Sequence, residues 1–501
     1  MDVRAFPDEY LAELWKGKDW KMIENLLADE QEALSIAAGK RADKTVKKLQ
    51  CKLVRNLEYK CLAVRHVVNG AEAPGIDGVM WRRPEDMMRA ALSLDSKGYK
   101  VTPLKLYSFQ SKNTGKMRYA GIPTLHDRAM MVLYGYSLIP VLEAHAERKS
   151  FGFRPARSAM DAHEYIMDAL KGEHAPRYVA VIDLKTYYAT IQHAWLLKHA
   201  PMDKGVLEQF LGAGIITSGE LFSSNGYGLS EGQNIAPYLA NFVLDGLQRY
   251  IYDGLYGSRE ADYPDGNLIR FADDIVVTVR SYQRGEEVIR LVKSFVAERG
   301  ARINEEKTKI VHIDEGFTFL ARTYVRKDGH IYAYPSGKAV ERFVSEVHEL
   351  ILSHTKSQLD LIKRLNSRLN GWAAYHRFSD AGEAFAEVDT AVQAALLEKS
   401  MKQHPKLPRP KVIARYWYKD IHGKHYYALP DDKTVRVVKL SETLLVHHKK
   451  IKTNANPYTE RDYIESREHF REIHNVTGRY KGAWKRQEGK CFYCGKPILV
   501  D

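Results

Sequence analysis

The sequence predicts a mixed helix and strand protein, with a central α/β domain between helical regions and a basic C-terminal region. Short β-rich runs alternate with helical stretches from about residue 100 to 330. Amphipathic helical patterns fill residues 1–70 and 335–400 on either side. The chain has 501 residues, 45% of them hydrophobic, which is enough for about three domains with separate cores.

The net charge is +13 and is unevenly distributed along the chain. Residues 401–501 hold 22 lysines and arginines against 11 aspartates and glutamates, so +11 of the total lies there. Such a concentration predicts a polyanionic partner. The four cysteines give no disulfide framework, which suits a reducing cytoplasm. No signal peptide and no apolar run of roughly 18 residues is present, so we expect a cytoplasmic protein without membrane insertion.

Each predicted element has a local reason in the sequence. Strands are predicted for "RYVAVIDLKTYY", "NLIRFADDIVVTVR", "KTKIVHI" and "FTFLARTYV" because apolar and β-branched residues dominate them. A helix after Tyr282 places five apolar residues on one face: Val288, Leu291, Val292, Phe295 and Val296. Phe343, Val347 and Leu350 share a helical face further on. The Pro-rich stretch "HPKLPRPK" (404–411) predicts a linker before the basic region.

Asp273 and Asp274 in "FADD" lie between two apolar strands and are therefore fixed at a predicted hairpin. A second pair, Asp431 and Asp432, lies in the polar turn "LPDDKT", where both charges can be hydrated. Fixed like charges repel, so a cation is expected beside the first pair. Asp183 ends the strand "YVAVID" in a matching context. Acids from two strand ends favour Mg²⁺-dependent phosphoryl transfer, although a solvated hairpin and a helix cap explain the same spacing.

The order of motifs resembles that of the reverse transcriptase and maturase encoded by bacterial group II introns. Eight segments carry the resemblance: "PGIDG" (74–78), "SKNTGKMRYAGIPTLHDRAM" (111–130), "SFGFRPARS" (150–158), "VIDLKTYYATIQH", "FADD", "INEEKT" (303–308) with "FTFL" (317–320), "LNGWAAYHR" (369–377), and "NPY" with "QEGKCFYCG". Any one of these is weak evidence, whereas their shared order is strong. The resemblance implies an α+β right-hand polymerase fold, with fingers, a ferredoxin-like antiparallel palm sheet, a helical thumb and a small basic DNA-binding region.

The resemblance also implies domain limits. They are an N-terminal helical extension (1–100), fingers and palm (101–334), a thumb or maturase domain (335–403), a basic DNA-binding domain (404–486), and a truncated zinc-knuckle remnant of the His-Asn-His nuclease type (487–501).

The family's active site maps onto residues of this chain. Asp183, the main-chain carbonyl of Leu184 and Asp273 would hold two Mg²⁺ ions, with Asp274 supporting them. The implied chemistry is RNA-directed DNA synthesis on an RNA template, with a DNA primer and dNTPs. Binding of group II intron RNA in a ribonucleoprotein is expected as well.

Further residues take implied roles around the nucleotide. Lys112 and Arg118 would grip its triphosphate, and Tyr188 would block a ribose 2′-hydroxyl. Lys307 would protonate the leaving pyrophosphate. Arg154 in "GFRP" is expected to contact template or close the fingers.

One segment departs from the family pattern. "LSEGQNIAPYLAN" (229–241) keeps Gly232, where main chain is expected close to the nucleotide, but has Ser230 and Glu231 in place of Pro and Gln. A carboxylate there repels a triphosphate, so nucleotide affinity or substrate choice is in doubt.

Rings alternate with basic residues in the C-terminal region, a composition that suits nucleic acid. The nucleic-acid contacts predicted there and on the thumb are Trp417, Lys449, Lys450, Lys363, Arg364 and Arg368. In the thumb, Trp372, Tyr375 and His376 are expected in the core. Cys491 and Cys494 have the spacing of half a zinc site, and without a partner pair zinc binding is the less favoured interpretation.

Three functions stay open from the sequence. The first is RNA-directed DNA polymerase, and the second is a maturase that stabilises folded intron RNA without chemistry of its own. The third is a domesticated relative acting in antiphage defence or repair, which the altered "SEG" favours.

Overall fold

The computed structural model describes residues 6–70, 73–110, 117–217, 220–257 and 265–474. Within these ranges no helix combines the length and apolar character needed to cross a membrane. The predictions at Lys112, Cys491 and Cys494 fall outside the described residues.

The N-terminal region is helical, as predicted. Its helices are α1 (Asp8–Lys16), α2 (Trp20–Gly39), α3 (Asp43–Arg55), α4 (Leu57–Gly70) and α5 (Pro84–Ser93). The carboxylate of Asp19 accepts a hydrogen bond from the Met22 amide at 3.0 Å and so caps the start of α2. α2 and α4 bury apolar faces that include Leu34 and Val64, each 0% exposed.

A small sheet follows, with helices packed after it. The elements are β1 (Leu104–Gln110), β2 (Met117–Ile122), α6 (Leu125–Glu143), α7 (Ala159–Ala169), β3 (Tyr178–Ile182), α8 (Tyr187–Thr190), α9 (His193–His199), α10 (Lys204–Gly212), β4 (Ile215–Thr217) and β5 (Glu220–Phe222). The strand order in this sheet is β2-β1-β4-β5, with β1 antiparallel to β2 and parallel to β4. α6 is buried along most of its length because it is apolar on every side.

The second sheet carries the "FADD" hairpin. Its surroundings are α11 (Ala236–Leu244), α12 (Leu247–Tyr256), β6 (Asn267–Phe271), β7 (Asp274–Val279), α13 (Tyr282–Ala297) and β8 (Lys309–His312). The strand order is β6-β7-β3-β8. α13 begins at Ser281, whose hydroxyl accepts from the Arg284 amide, and it buries the apolar face predicted from its periodicity. The mixed helix and sheet class is therefore confirmed.

The remaining elements form a three-stranded sheet and a helical region. They are β9 (Phe317–Phe319), β10 (Arg322–Lys327), β11 (His330–Pro335), α14 (Gly337–Ser353), α15 (Gln358–His376), α16 (Gly382–Gln403), α17 (Arg409–Tyr416), β12 (Trp417–Lys419), β13 (His425–Tyr427) and α18 (Arg461–His474), with a 3₁₀ turn at Leu440–Glu442. Trp372 stacks on Phe343, with ring centroids 4.8 Å apart, and His376 is 2% exposed. The predicted core role of these thumb residues is confirmed.

Two compact units divide the chain. The first comprises residues 1–165, 180–310 and 451–469, and the second comprises 166–179, 311–450 and 470–501. The predicted domain boundary at residue 404 is therefore not seen. The prolines that predicted a linker instead lie at the start of a helix. Pro408 is the N-cap of α17 and Pro410 lies in its first turn.

Residues 417–443 share the core of the second unit with α14, α15 and α16. Tyr427, Val437 and Leu440 belong to the same buried cluster as Leu365 and Phe385. The Asp389 carboxylate of α16 accepts from the amides of Leu440 and Ser441 at 2.7 and 2.9 Å.

We predict that Leu369→Ala lowers the free energy of unfolding of the second unit by about 2–5 kcal/mol, because it opens a cavity in a packed core. Leu369 is 0% exposed, whereas Leu359 on the same helix is 37% exposed. Leu359→Ala is the matched control and should cost less than about 0.5 kcal/mol. Denaturant unfolding followed by circular dichroism measures both, and equal losses would contradict this core assignment.

Candidate active site

The two adjacent carboxylates lie at the tip of a two-residue hairpin. β6 ends at Phe271 and β7 begins at Asp274, and these two residues are paired across the ladder. Ala272 and Asp273 form the turn, and Ala272 has a φ of +55°. A positive φ at the first turn position matches the right-handed twist of the flanking strands, at some steric cost for alanine. The predicted hairpin is confirmed.

Asp183 follows β3 directly, and β3 is the neighbour of β7 in the sheet. The Asn304 side chain donates to the Asp183 carboxylate at 2.9 Å, and its amide donates to the Asp183 carbonyl at 2.8 Å. The Asp183 amide donates to the Thr308 hydroxyl at 3.3 Å. The "INEEKT" segment thus fixes the orientation of this carboxylate. The sequence analysis missed the role of Asn304 although the motif contained it.

The carboxylates act on one another electrostatically. The pKa of Asp274 is raised to about 6, first by loss of hydration around its carboxyl and then by the charges of Asp273 and Asp183. The residue Asp274 as a whole is exposed to solvent, whereas its carboxyl group is partly enclosed by protein. Excess negative charge with incomplete hydration is the condition under which a cation binds favourably.

Lys307 provides a counter-charge at the edge of this group. Its ammonium lies 3.5 Å from Asp183 Oδ2, while its side chain is 67% exposed. It also lowers the pKa of Asp274, against the larger causes that raise it. With most of its side chain in solvent, Lys307 pairs with Asp183 without being buried among the carboxylates.

The main chain at Leu184 runs beside Ile303 as an isolated antiparallel bridge. The ladder bonds run through its neighbours: the Asn304 amide donates to the Asp183 carbonyl, and the Lys185 amide donates to the Arg302 carbonyl at 2.8 Å. In an antiparallel pair the intervening residue directs its carbonyl away from that partner strand. The Leu184 carbonyl is therefore not used in this ladder.

Among the described residues no group of three or more His, Cys, Asp or Glu is close enough to form a preformed metal cage. Mg²⁺ seldom uses one, because it keeps several waters and takes one or two carboxylates together with substrate phosphate. The oxygen donors of Asp183, Asp273 and the Leu184 main chain, with the carboxylate of Asp274 beside them, fit such an ion chemically.

Two consecutive tyrosines follow Asp183 and have different surroundings. The Tyr187 hydroxyl is buried and donates to the Ala240 carbonyl at 2.7 Å. Tyr188 is half-buried, and its pKa is raised by burial and then by the charges of Asp273 and Glu231. Tyr188 thus lies within electrostatic reach of both the hairpin and the 229–233 segment.

The 229–233 segment packs against the end of β2. The Ser230 hydroxyl accepts from the Gly121 amide at 3.1 Å. A Cβ on Gly232 would lie 2.0 Å from the Gly121 carbonyl oxygen. The requirement for glycine was predicted from approach to a nucleotide, and this contact gives it a different cause, the approach of main chain to main chain. Glu231 between them is exposed.

Arg154 was predicted to contact template or to close the fingers, and its burial argues against the template contact. The residue is 8% exposed, and its guanidinium makes two hydrogen bonds to the Glu143 carboxylate, at 2.8 and 2.6 Å. It also donates to the carbonyls of Glu147 and Ser150. A buried guanidinium with these partners offers no face to nucleic acid, and removing one member of such a pair costs about 3–5 kcal/mol.

Arg270, which the sequence analysis did not single out, supports the hairpin through buried hydrogen bonds. It is 0% exposed and donates to Asp245 at 2.8 Å, to the Asn241 side chain at 2.9 Å and to the Ala272 carbonyl at 3.3 Å. The signal was visible, because an arginine within the apolar run "NLIRF" needs a buried acid as its partner.

Arg118 lies in β2 opposite Phe109. Its side chain, like Lys112, is outside the described part of the chain. The grip on a triphosphate assigned to these two residues stays a prediction.

The basic residues predicted to bind nucleic acid differ in exposure. Lys363, Arg364 and Arg368 are exposed on α15, and Arg364 pairs with Asp360 at 2.9 Å. Trp417 is half-buried and donates its indole N–H to Gln393 at 2.6 Å, and its contact with nucleic acid stays a prediction. Lys449 and Lys450 are both half-buried, and Lys450 forms an ion pair with Asp168.

Three family models match successive segments of the chain. Residues 15–94 match the N-terminal domain of reverse transcriptase, residues 110–324 match reverse transcriptase (RNA-dependent DNA polymerase), and residues 340–417 match the maturase-specific domain of group II introns. The carboxylate hairpin and Asp183 lie inside the second match. Residues 110–324, which contain these carboxylates, are thus similar to reverse transcriptase.

Relatives narrow this class further. Protein YkfC of Escherichia coli is 29% identical over 320 residues, which cover 55% of this chain and 82% of YkfC. The group II intron-encoded protein LtrA of Lactococcus lactis is 24% identical over 331 residues, and the alignment spans about half of each chain, 54% in both cases. These relatives and the three family matches are consistent with a reverse transcriptase and maturase of the group II intron type. A solved structure of telomerase from Candida albicans matches with a TM-score of 0.38 and 11% identity, over 64% of this chain and 62% of that one.

We predict that Glu231→Gln lowers the KM for dNTPs about two- to fivefold, because it removes a negative charge from the side of the site that faces Tyr188. The difference in KM between Glu231→Gln and the unmodified protein should shrink as ionic strength rises, because salt screens the repulsion. Glu208→Gln, at an exposed glutamate of α10, is the matched control and should leave the KM unchanged. A KM that stays constant or rises in Glu231→Gln would show that this carboxylate does not repel the nucleotide.

Proposed function

We propose that the chain extends a primer 3′-hydroxyl on an RNA template with dNTPs, using divalent metal chemistry at Asp183, Asp273 and Asp274. The observation that carries the proposal is that Asp183 follows β3, while the hairpin with Asp273 and Asp274 leads into β7, the neighbour of β3 in the sheet. Two bound Mg²⁺ ions would activate the attacking hydroxyl and stabilise the leaving oxygen.

The chain's own residues divide the work around that centre. Asp183, Asp273 and the Leu184 carbonyl hold the metal ions, and Asp274 supports them at the exposed edge of the hairpin. Lys307, with its ammonium 3.5 Å from Asp183, is placed to donate a proton to the leaving pyrophosphate as a general acid.

Lys112 and Arg118 would bind the triphosphate from the fingers side. Arginine does so through its planar fork and lysine as a point charge.

A maturase role in binding group II intron RNA is proposed for the second unit. Lys363 and Arg368 are exposed on α15, while Leu361, Leu365 and Leu369 of the same helix pack into the core. An exposed basic helix face binds phosphates through charge, with an affinity that falls steeply with salt. The partners would then be intron RNA in a ribonucleoprotein, and target DNA during mobility.

Two alternatives differ in their use of the same site. A splicing cofactor without polymerase activity would need the basic α15 face and not the carboxylates. A domesticated relative in antiphage defence or repair would keep the carboxylates without an intron, and the exposed Glu231 is the feature that favours it. Intron RNA domains in the DNA flanking the gene would argue against the latter.

We predict that Asp273→Ala combined with Asp274→Ala abolishes primer extension on an RNA template, by at least about a thousandfold, because the metal-binding oxygens are lost. The matched control is Asp431→Ala with Asp432→Ala, which removes an equal charge from an exposed turn and should retain activity. Full activity in the first double variant would remove the polymerase assignment. Retained stimulation of intron splicing by that variant would show that the maturase function is independent of catalysis.

We also predict that Tyr188→Ala admits ribonucleotides, raising the ratio of kcat/KM for rNTPs over dNTPs about tenfold or more, because a bulky ring no longer excludes the 2′-hydroxyl. Tyr187→Phe is the control next to it: it loses a buried hydrogen bond to Ala240 without opening the site. Incorporation assays with matched dNTP and rNTP sets measure both variants. Unchanged discrimination in Tyr188→Ala would assign the ring to packing alone.

A further inference from the structure

The C-terminal strap, residues 451–467, belongs to the first unit, although residues 311–450 before it belong to the second. Its "NPY" segment was grouped with a DNA-binding tail in the sequence analysis, but its contacts are internal. The Asn456 side chain donates to the hydroxyl of Ser35 on α2 at 2.7 Å. Burial raises the pKa of Tyr458, and Glu143, the partner of Arg154, is the next cause.

The strongest contact of the strap is a buried ion pair. Arg467 is 2% exposed and its guanidinium donates to the Asp161 carboxylate at 2.5 Å. Asp161, 0% exposed, also accepts from the Ile451 amide and from the amide and hydroxyl of Ser158. A carboxylate in this position is stable only while its cation and hydrogen bonds are in place.

The same arginine holds the 147–158 loop. Its guanidinium donates to the carbonyl of Ala156 at 3.1 Å. Ala156 and Phe153 have φ values of +57° and +54°, a conformation that non-glycine residues keep only when surrounding contacts impose it. From the loop side, Arg157 donates to the carbonyls of Thr453 and Ala455 in the strap.

The other side of the loop touches the catalytic hairpin. The Phe151 amide donates to the Arg270 carbonyl at 2.9 Å, and the Arg270 amide donates to the Lys149 carbonyl at 2.9 Å. A Cβ on Gly152 would lie 2.4 Å from the Ala272 amide nitrogen, so the two backbones are in direct contact. Ala272 immediately precedes Asp273.

We propose that the C-terminal strap positions the catalytic hairpin through the 147–158 loop, with Arg467 as the positioning residue. The contacts of the strap keep the 147–158 loop in its strained conformation. The loop in turn fixes the position and orientation of the hairpin turn that carries Asp273. The kinetic consequence rests on the proposed polymerase function, whereas the structural coupling does not.

The test compares two arginines of the same strap. Arg467→Ala breaks the contact with the loop, whereas Arg461→Ala breaks only contacts to α2, where Arg461 pairs with Asp29 and Glu32. Hydrogen exchange followed by mass spectrometry reads the backbone of the full-length protein without requiring activity. Peptides covering 147–158 and 267–274 should exchange at least about tenfold faster in Arg467→Ala and within about twofold of the original in Arg461→Ala.

Kinetics supply the second readout. In Arg467→Ala, kcat per active site, normalised by the burst amplitude, should fall about tenfold or more with the KM for dNTPs within about twofold, because a misplaced carboxylate affects chemistry more than binding. If Arg467→Ala does not fold, Arg467→Lys replaces it, because it keeps a positive charge opposite Asp161 without the second bond to Ala156. Its hydrogen exchange and kcat are compared with those of Arg461→Ala in the same way, and the expected changes are smaller.

Two results would overturn the inference. One is faster exchange in the strap of Arg467→Ala while the peptides at 147–158 and 267–274 stay protected. The other is a loss of activity fully accounted for by a smaller folded fraction. Absence of primer extension by the unmodified protein would instead refute the proposed function, and the exchange comparison would still decide the coupling.

Discussion

Repulsion among Asp183, Asp273 and Asp274 is the constraint on which the rest of the site depends. Isolated carboxylates would move apart or be fully hydrated. Here burial and the charges of Asp273 and Asp183 raise the pKa of Asp274, so the three carboxylates are neither well separated nor fully hydrated. The sheet holds Asp273 and Asp274 at one hairpin, and Asn304 holds Asp183 at the end of the neighbouring strand. The fold therefore keeps an electrostatically unfavourable arrangement that a bound cation would relieve.

Buried arginines supply much of the rigidity that this arrangement needs. Three are matched with single buried or half-buried acids of the first unit: Arg154 with Glu143, Arg270 with Asp245, and Arg467 with Asp161. Each also donates to main-chain carbonyls, so it fixes a loop as well as neutralising a charge. Some of the chain's lysines and arginines thus serve internal structure and are not available to nucleic acid.

Local patterns predicted local features well. The helix α13, the "FADD" hairpin and the core position of His376 all depend on periodicity or on the placement of polar residues between apolar runs. The comparison with the solvated pair Asp431 and Asp432 also directed attention to the hairpin at Asp273 and Asp274, where the structure encloses the carboxyl of Asp274. The internal partners of Arg154, Trp417 and Gly232 were not predicted, because they lie between 11 and 111 residues away in the sequence and no local pattern shows them. A charged or aromatic residue near a functional motif suggests a ligand contact until its buried partner is known.

The C-terminal region shows most clearly that charge along a sequence is a poor guide to domains. Residues 417–443 complete the core around α15 and α16, while 451–467 return to the unit that holds the carboxylates. A truncation at residue 404 would therefore expose Leu365 and Phe385 in one unit and leave Asp161 without Arg467 in the other. Loss of activity in such a truncation would report two structural defects and not the removal of a DNA-binding domain. Charge-neutralising substitutions at exposed residues such as Lys363 and Arg368 separate binding from folding, because they leave every buried pair intact.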